Sequence, residues 1–246
     1  MDRMLYVAMT GAKETLLAQG AVNHNMANGN TTGFLADLQQ FRSMPVFGAG
    51  HPTRVYAMSE RPQADGTPGT MDRTGRDLDV AVKGGGWIAV QGPDGREAYT
   101  RRGDLEIDVN GRLTNGEGLP VMGNSGPIAL PPFDKIEIGA DGTVSIRPKG
   151  ELGDALAQVD RIRLVKTPEG GFEKGLDGLM RPKDGQPLPA DADQRLVSGA
   201  LVASNVDMVG EMVHMIELSR RFELQVQMMK TAEQTASSSA SLLRPV

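Results

Sequence analysis

The sequence predicts an α+β fold: long N- and C-terminal helices that pair in a coiled-coil-like way, and a central antiparallel β-rich domain. Three observations carry this. Apolar residues recur at helical spacing at both ends of the chain, short alternating β-branched runs fill the middle, and glycine-rich turn signals separate those runs. The expected segments are an N-terminal helix in residues 1–30, an irregular or extended connection in 31–74, a β-rich domain in 75–195 and a C-terminal helix in 196–246.

The first helix rests on Leu5, Ala8, Ala12, Leu16, Gln19, Val22 and Met26, which recur at steps of three or four, with Lys13, Glu14 and Asn23 largely off the stripe. The stripe is small and smooth, because Ala8, Gly11, Ala12, Ala18 and Ala21 offer little bulk. Such a face suits close approach of a second helix better than a large core. The helix then meets "HNMANGNTTGF", His24 to Phe34, where Asn, Gly and Thr crowd together. These residues leave a helix readily, since their side chains bond locally or their backbone turns left-handed. Asn28 and Gly29 would suffice to end the helix; the surplus predicts capping and contact duties for Asn25, Asn28, Asn30, Thr31, Thr32, Gly33 and Phe34.

Between the helices, "LDVAV", "WIAV", "LEIDV", "KIEIG", "TVSIR" and "RIRLV" alternate as strands do. "PDG", "NGR", "NGEG", "ADG" and "PEGG" separate them as hairpin and turn signals, which points to an antiparallel sandwich or barrel. The last helix is read from about Leu201 to Ala240, a stretch free of Pro with a single Gly at 210. Val202, Val206, Val209, Val213 and Ile216 form one seam. Met212, Met215, Ser219, Phe222, Val226 and Met229 form a second. Ser204 and Asn205 are candidate caps, and "ASSSASLL" reads as a weakening end. Two adjacent seams imply more than one packing partner.

Composition narrows the function. The net charge of -5 and the lack of a basic block argue against a nucleic-acid partner. With Cys 0 there is no thiol chemistry and no disulfide. No run of about 18 apolar residues exists, so no direct membrane insertion is expected. Thr10, Gly11, Lys13 and Glu14 break the apolar start, so no cleaved signal peptide is expected.

Chemical motifs fare no better. "GGGWIA", Gly84 to Ala89, imitates a dinucleotide-binding turn, but "QGPDG" follows and stops the helix that motif needs. "EIDVNGRLTNGE", Glu106 to Glu117, imitates a calcium loop, but its flanks alternate as a hairpin turning at Asn110-Gly111. His24, His51 and His214 lack metal-ligand spacing, Ser198, Ser204 and Ser219 sit in no nucleophile motif, and Asp77 and Asp79 read as a solvated strand end. No catalytic residue, cofactor or metal is expected, and the chain does not read as an enzyme.

Three blocks resemble one family. "ANGNTTGF" at 27–34, "TGRDLDVAVKGGGWIAVQGPDGREAYTRRGDLEIDVNGRLTNGEGLPVMG" at 74–123 and "SNVDMVGEMVHMIELSRRFELQVQMMKTAEQ" at 204–234 are similar to the flagellar rod and hook proteins. The length resembles a rod protein rather than a hook protein, and the last helix resembles a proximal-rod more than a distal-rod protein. Gly29 stands where the family commonly has Val, His24 where it has Asn, and Trp87-Ile88 where two Phe are common. The resemblance implies an axial structural subunit of the bacterial flagellar basal body. Its terminal helices would pack as an inner tube, its β domain would lie outside, and the assembly would transmit torque.

Implied partners are copies of itself, other proximal- and distal-rod subunits, and the flagellar type III export apparatus. The implied location is the periplasmic rod. The helix-packing residues expected to carry assembly are Leu5, Ala8, Ala12, Leu16, Val22 and Met26 in the first helix. In or near the last they are Val206, Val209, Met212, Val213, Ile216, Phe222 and Val226. The alternatives are a distal-rod subunit or, in another class, a periplasmic β-domain enzyme or sugar-binding module.

Overall fold

The computed structural model describes residues 4–45, 55–59, 63–150 and 156–242; His51 lies outside them. The chain divides into two compact units. A helical unit comprises Met1–Ala27, Asp37–Gln63 and Asp207–Val246, and a β-rich unit comprises Asn28–Ala36 and Ala64–Val206.

In the helical unit, α1 (Met4–Ala27) packs antiparallel to α2 (Met208–Leu242). Their contact is lined by small residues, as the N-terminal stripe predicts, but the stripe is turned. Ala8, Ala12, Thr15, Ala18, Val22 and Asn25 are buried, whereas Leu5 and Leu16 are about half exposed at 42% and 51%. The reason is bulk: the Gln225 side chain of α2 lies so close over α1 that a Cβ on Gly11 would meet its Nε2 at 2.8 Å. A Leu does not fit where an Ala or Gly does. Ala18 and Val22 close on Leu218, with Met26 and Met215 beside them. An antiparallel strand pair, Phe41–Pro45 against Val55–Ser59, also belongs to this unit, within the connection read as irregular or extended.

Two further expectations about the last helix need correction. It begins at Met208, not near 196, because Arg195–Ser198 pairs with Val80–Lys83 and Ala200–Val202 pairs with Met71–Arg73. Gly199, left-handed at φ 71°, turns the chain between these strands. The cap is neither Ser204 nor Asn205 but Asp207. Its carboxylate accepts the Val209 amide at 3.1 Å, and its carbonyl accepts the Glu211 amide at 2.9 Å. At the other end "ASSSASLL" stays helical to Leu242. Thr231, Thr235 and Ser239 each return a hydroxyl bond to the carbonyl four residues earlier, which satisfies their polar groups within the helix.

The β-rich unit is antiparallel throughout its named ladders, and its centre is Gly86–Gln91. That strand pairs with Glu97–Thr100 on one side and Leu164–Lys166 on the other. Both its faces are covered, which explains the unbroken apolar run "WIAV". Ile88 and Val90 enter the main core with Leu105, Leu113, Val121 and Ile146. Trp87 and Ala89 face the opposite way, into a second cluster with Leu35, Tyr99, Val165 and Met180. At full burial, side chains of this size are each worth about 1.5–3 kcal/mol.

The two motif look-alikes resolve as turns. Gly84 and Gly85 link the strands Val80–Lys83 and Gly86–Gln91, so no helix follows them. Asp108 to Arg112 close a hairpin between Leu105–Ile107 and Leu113–Asn115. There the Asp108 carboxylate accepts the backbone amides of Arg112 and Asn110 and the Arg112 guanidinium, which holds its pKa down to about 2. Those oxygens are spoken for by the turn itself. Among the described residues no group of three or more His, Asp or Glu is arranged to hold a metal ion, and no helix is long and apolar enough to cross a membrane.

Candidate assembly surface

The residues expected to carry assembly separate into three places. Ala8, Ala12 and Val22 lie buried in the α1–α2 contact, with Met26, Phe222 and Val226 half-buried along it. Val206 is half-buried in the β-rich unit, ahead of α2. Leu5 and Leu16 on α1, and Val209, Met212, Val213 and Ile216 on α2, face solvent. Val209, Val213 and Ile216 are 69%, 51% and 55% exposed and follow one another at steps of four and three. They form a continuous apolar edge on the helix surface. Sequence reasoning missed Thr15, Leu218 and Gln225, which carry the internal contact. The spacing Met215, Leu218, Phe222, Gln225, Met229 is itself helical and holds the signal for that face. It was obscured because Val206, Val209, Val213 and Ile216 are more uniformly apolar.

Asn25 is the centre of the helix exit. Buried at 2% exposure, it donates Nδ2 to Glu211 Oε1 at 2.8 Å and to the Asp37 carbonyl at 3.1 Å, and its Oδ1 accepts the Asp37 amide at 2.8 Å. Next to it His24 Nδ1 lies 2.7 Å from Asp37 Oδ2. One amide therefore ties α1, the first turn of α2 and the returning chain at Asp37. Removing it leaves buried partners unsatisfied, which costs about 2 kcal/mol or more. Asn25→Ala should bring forward the loss of helical circular dichroism in denaturant. The fluorescence midpoint of Trp87, the single Trp and a member of the other unit, should stay in place.

Beyond the helix the Asn-rich turn works locally. Thr31 donates its amide to the Asn28 carbonyl and its hydroxyl to Asn28 Oδ1, both at 3.1 Å, and Phe34 donates to the Thr31 carbonyl at 3.2 Å. Gly33 is left-handed at φ 68°, and a Cβ there would stand 2.5 Å from backbone atoms of Arg101 and Arg102. The Phe34 ring lies 4.1 Å beneath the Lys174 ammonium. Asn30 is exposed and Thr32 is half-buried.

A pair of packed terminal helices with an exposed apolar edge, and a β-rich unit between them in sequence, is the outline of a subunit that packs against others. Comparison with known proteins agrees. Residues 197–242 match the family model described as "Flagellar basal body rod FlgEFG protein C-terminal", and residues 81–146 match "Flagellar hook protein FlgE/F/G D1 domain". The first match takes in α2; the second takes in much of the β-rich core. Over 99% of both chains the protein is 42% identical to the flagellar basal-body rod protein FlgF of Escherichia coli K12. It is 39% identical, over the same shares, to that of Salmonella typhimurium. A flagellar basal-body rod protein FlgG of Buchnera aphidicola is 27% identical over 94% of this chain and 95% of its own. The chain belongs to the FlgF family of flagellar basal-body rod proteins.

Proposed function

We propose that the chain is a non-enzymatic structural subunit of the proximal rod. It joins copies of itself and neighbouring rod subunits through its terminal helices, and it carries torque along the axis. The observation that supports this is the division of labour on α2. One face is occupied by α1, and the adjacent seam of Val209, Val213 and Ile216 stays uncovered in the single chain. Apolar stripes of this kind gain free energy only when another surface removes them from water. Helix-to-helix burial repeated from subunit to subunit would build a continuous axial tube. The chain would reach the periplasmic rod through the flagellar type III export apparatus.

Imaging of basal bodies from cells lacking the chain tests this. The expected result is a rod cut short at its proximal part and restored when the chain is supplied. A rod of full length in its absence would overturn the reading.

A further inference from the structure

The β-rich unit is crossed by chain that leaves and re-enters it. The chain enters at Asn28, leaves after Ala36, returns at Ala64 and leaves again after Val206. Inside the unit, three of these crossings are gathered by one side chain. Asn205 Oδ1 accepts the Ala36 amide at 2.7 Å, while its Nδ2 donates to the carbonyls of Asp65 at 3.2 Å and Thr67 at 2.9 Å. Its own backbone amide donates to the Phe34 carbonyl at 3.3 Å, and the Asp65 amide donates to the Ala36 carbonyl at 2.8 Å. The carbonyl between the two that Asn205 holds, that of Gly66, accepts Arg101 Nη1 at 3.0 Å. Arg101 is itself fixed, buried at 4% exposure with its guanidinium 4.4 Å above the Trp87 ring. Three successive carbonyls, 65 to 67, are thus held by two side chains. The backbones around them run close: a Cβ on Gly69 would stand 2.1 Å from the Ala203 carbonyl oxygen.

We infer that Asn205 is a positioning residue. With Arg101 it cinches the two exits and the re-entry of the chain into one stiff bundle, so that load carried by the flanking segments reaches the β-rich unit without slack. This use of the bundle rests on the reading of the chain as a torque-bearing subunit, whereas the bundle itself rests on the hydrogen bonds alone. An amide suits the task because it alone offers an acceptor on one side and two donors on the other. An exit segment of two or three residues held only by its peptide bonds would swing. One held by six bonds, four of them made by two side chains, does not.

The test uses the full chain and two variants. Asn205→Ala removes both halves of the clamp, and Asn205→Asp keeps the acceptor for Ala36 while losing the donors to Asp65 and Thr67. By amide exchange, Asn205→Ala should raise the rates of Ala36 and Asp65 about tenfold or more, a local opening. Asn205→Asp should raise Asp65 but leave Ala36 protected. Amides of the main core, such as Val121 and Ile128, should stay within about twofold in both. In a strain deleted for the chain, Asn205→Ala should assemble to normal levels, yet swimming in viscous medium should fall to about half or less.

Unchanged exchange at Ala36 and Asp65 would overturn the clamp. So would a uniform rise through the core, which is what ordinary destabilisation produces. Full swimming speed under load with the local opening present would overturn its load-bearing role. Failure of the wild-type chain to restore swimming would count instead against the rod reading, and exchange would still decide the clamp.

Discussion

Val213→Asp or Ile216→Asp is expected to abolish swimming while the purified chain unfolds as the wild type does. Both side chains are more than half exposed in the single chain, so a carboxylate there stays hydrated and costs the monomer almost nothing. In a packed rod the same group would lie against another apolar surface without a partner. The penalty is then several kcal/mol per subunit, repeated at each copy. The two measurements are the denaturation midpoint of helical circular dichroism, expected unchanged, and colony spreading in soft agar, expected to be lost. Leu218→Asp supplies the contrast, because that residue is buried in the α1–α2 contact and its replacement should disturb the free chain as well. Normal spreading by either seam variant would remove these residues from the assembly surface.

Gly33→Ala is expected to unfold the β-rich unit at markedly lower temperature. Two costs fall on one methyl group. The backbone is left-handed at φ 68°, which costs an L-residue about 1–2 kcal/mol. The new Cβ would also stand 2.5 Å from the Arg101 carbonyl carbon and the Arg102 nitrogen, main-chain atoms that cannot rotate away. Moving them pulls on Arg101, which is stacked on Trp87, and on the bond from the Gly33 amide to the Val202 carbonyl at 2.7 Å. A combined loss of about 3 kcal/mol corresponds to a fall of roughly 6–12 °C in a unit of this size. Trp87 fluorescence on heating reads it directly; a shift below about 2 °C would mean the turn relaxes around the methyl.

The turns were the most legible part of the sequence. "PDG", "NGR", "NGEG", "ADG" and "PEGG" each end in or contain a glycine that adopts the left-handed backbone, at Gly95, Gly111, Gly118, Gly142 and Gly171. The physical reason is local: only glycine enters that region without strain, so the residue announces the conformation. The runs between them were legible as strands too, from β-branched residues bounded by turn signals, although Val80–Val82 and Trp87–Val90 are buried on both faces.

What could not be read was which of several apolar helix faces is used inside the chain. Leu16 is larger and more apolar than Thr15. Thr15 is nevertheless the buried residue, because its hydroxyl lies 2.8 Å from the Gly11 carbonyl and 3.2 Å from Gln225 Oε1 where the helices touch. Tertiary fit outranks hydrophobicity there. The C-terminal boundary failed for a related reason. "RLVSGALV" is apolar enough for either structure, and its partners, Met71–Arg73 and Val80–Lys83, lie more than a hundred residues earlier. Asn25 and Asn205 were visible as residues, but their bonds join segments far apart in sequence.

Those same long-range pairings set when the molecule can take shape. Met71–Arg73 waits for Ala200–Val202, and Val80–Lys83 waits for Arg195–Ser198. Ladders between segments so far apart close late, since the loop between them must lose its freedom before any bond rewards it. A chain passed amino end first through a narrow conduit would therefore hold no finished β-rich unit until residue 202 had cleared the exit. In such a passage sequence order would act as a timer: the chain would stay thin enough to travel and would gain its final bulk only on arrival.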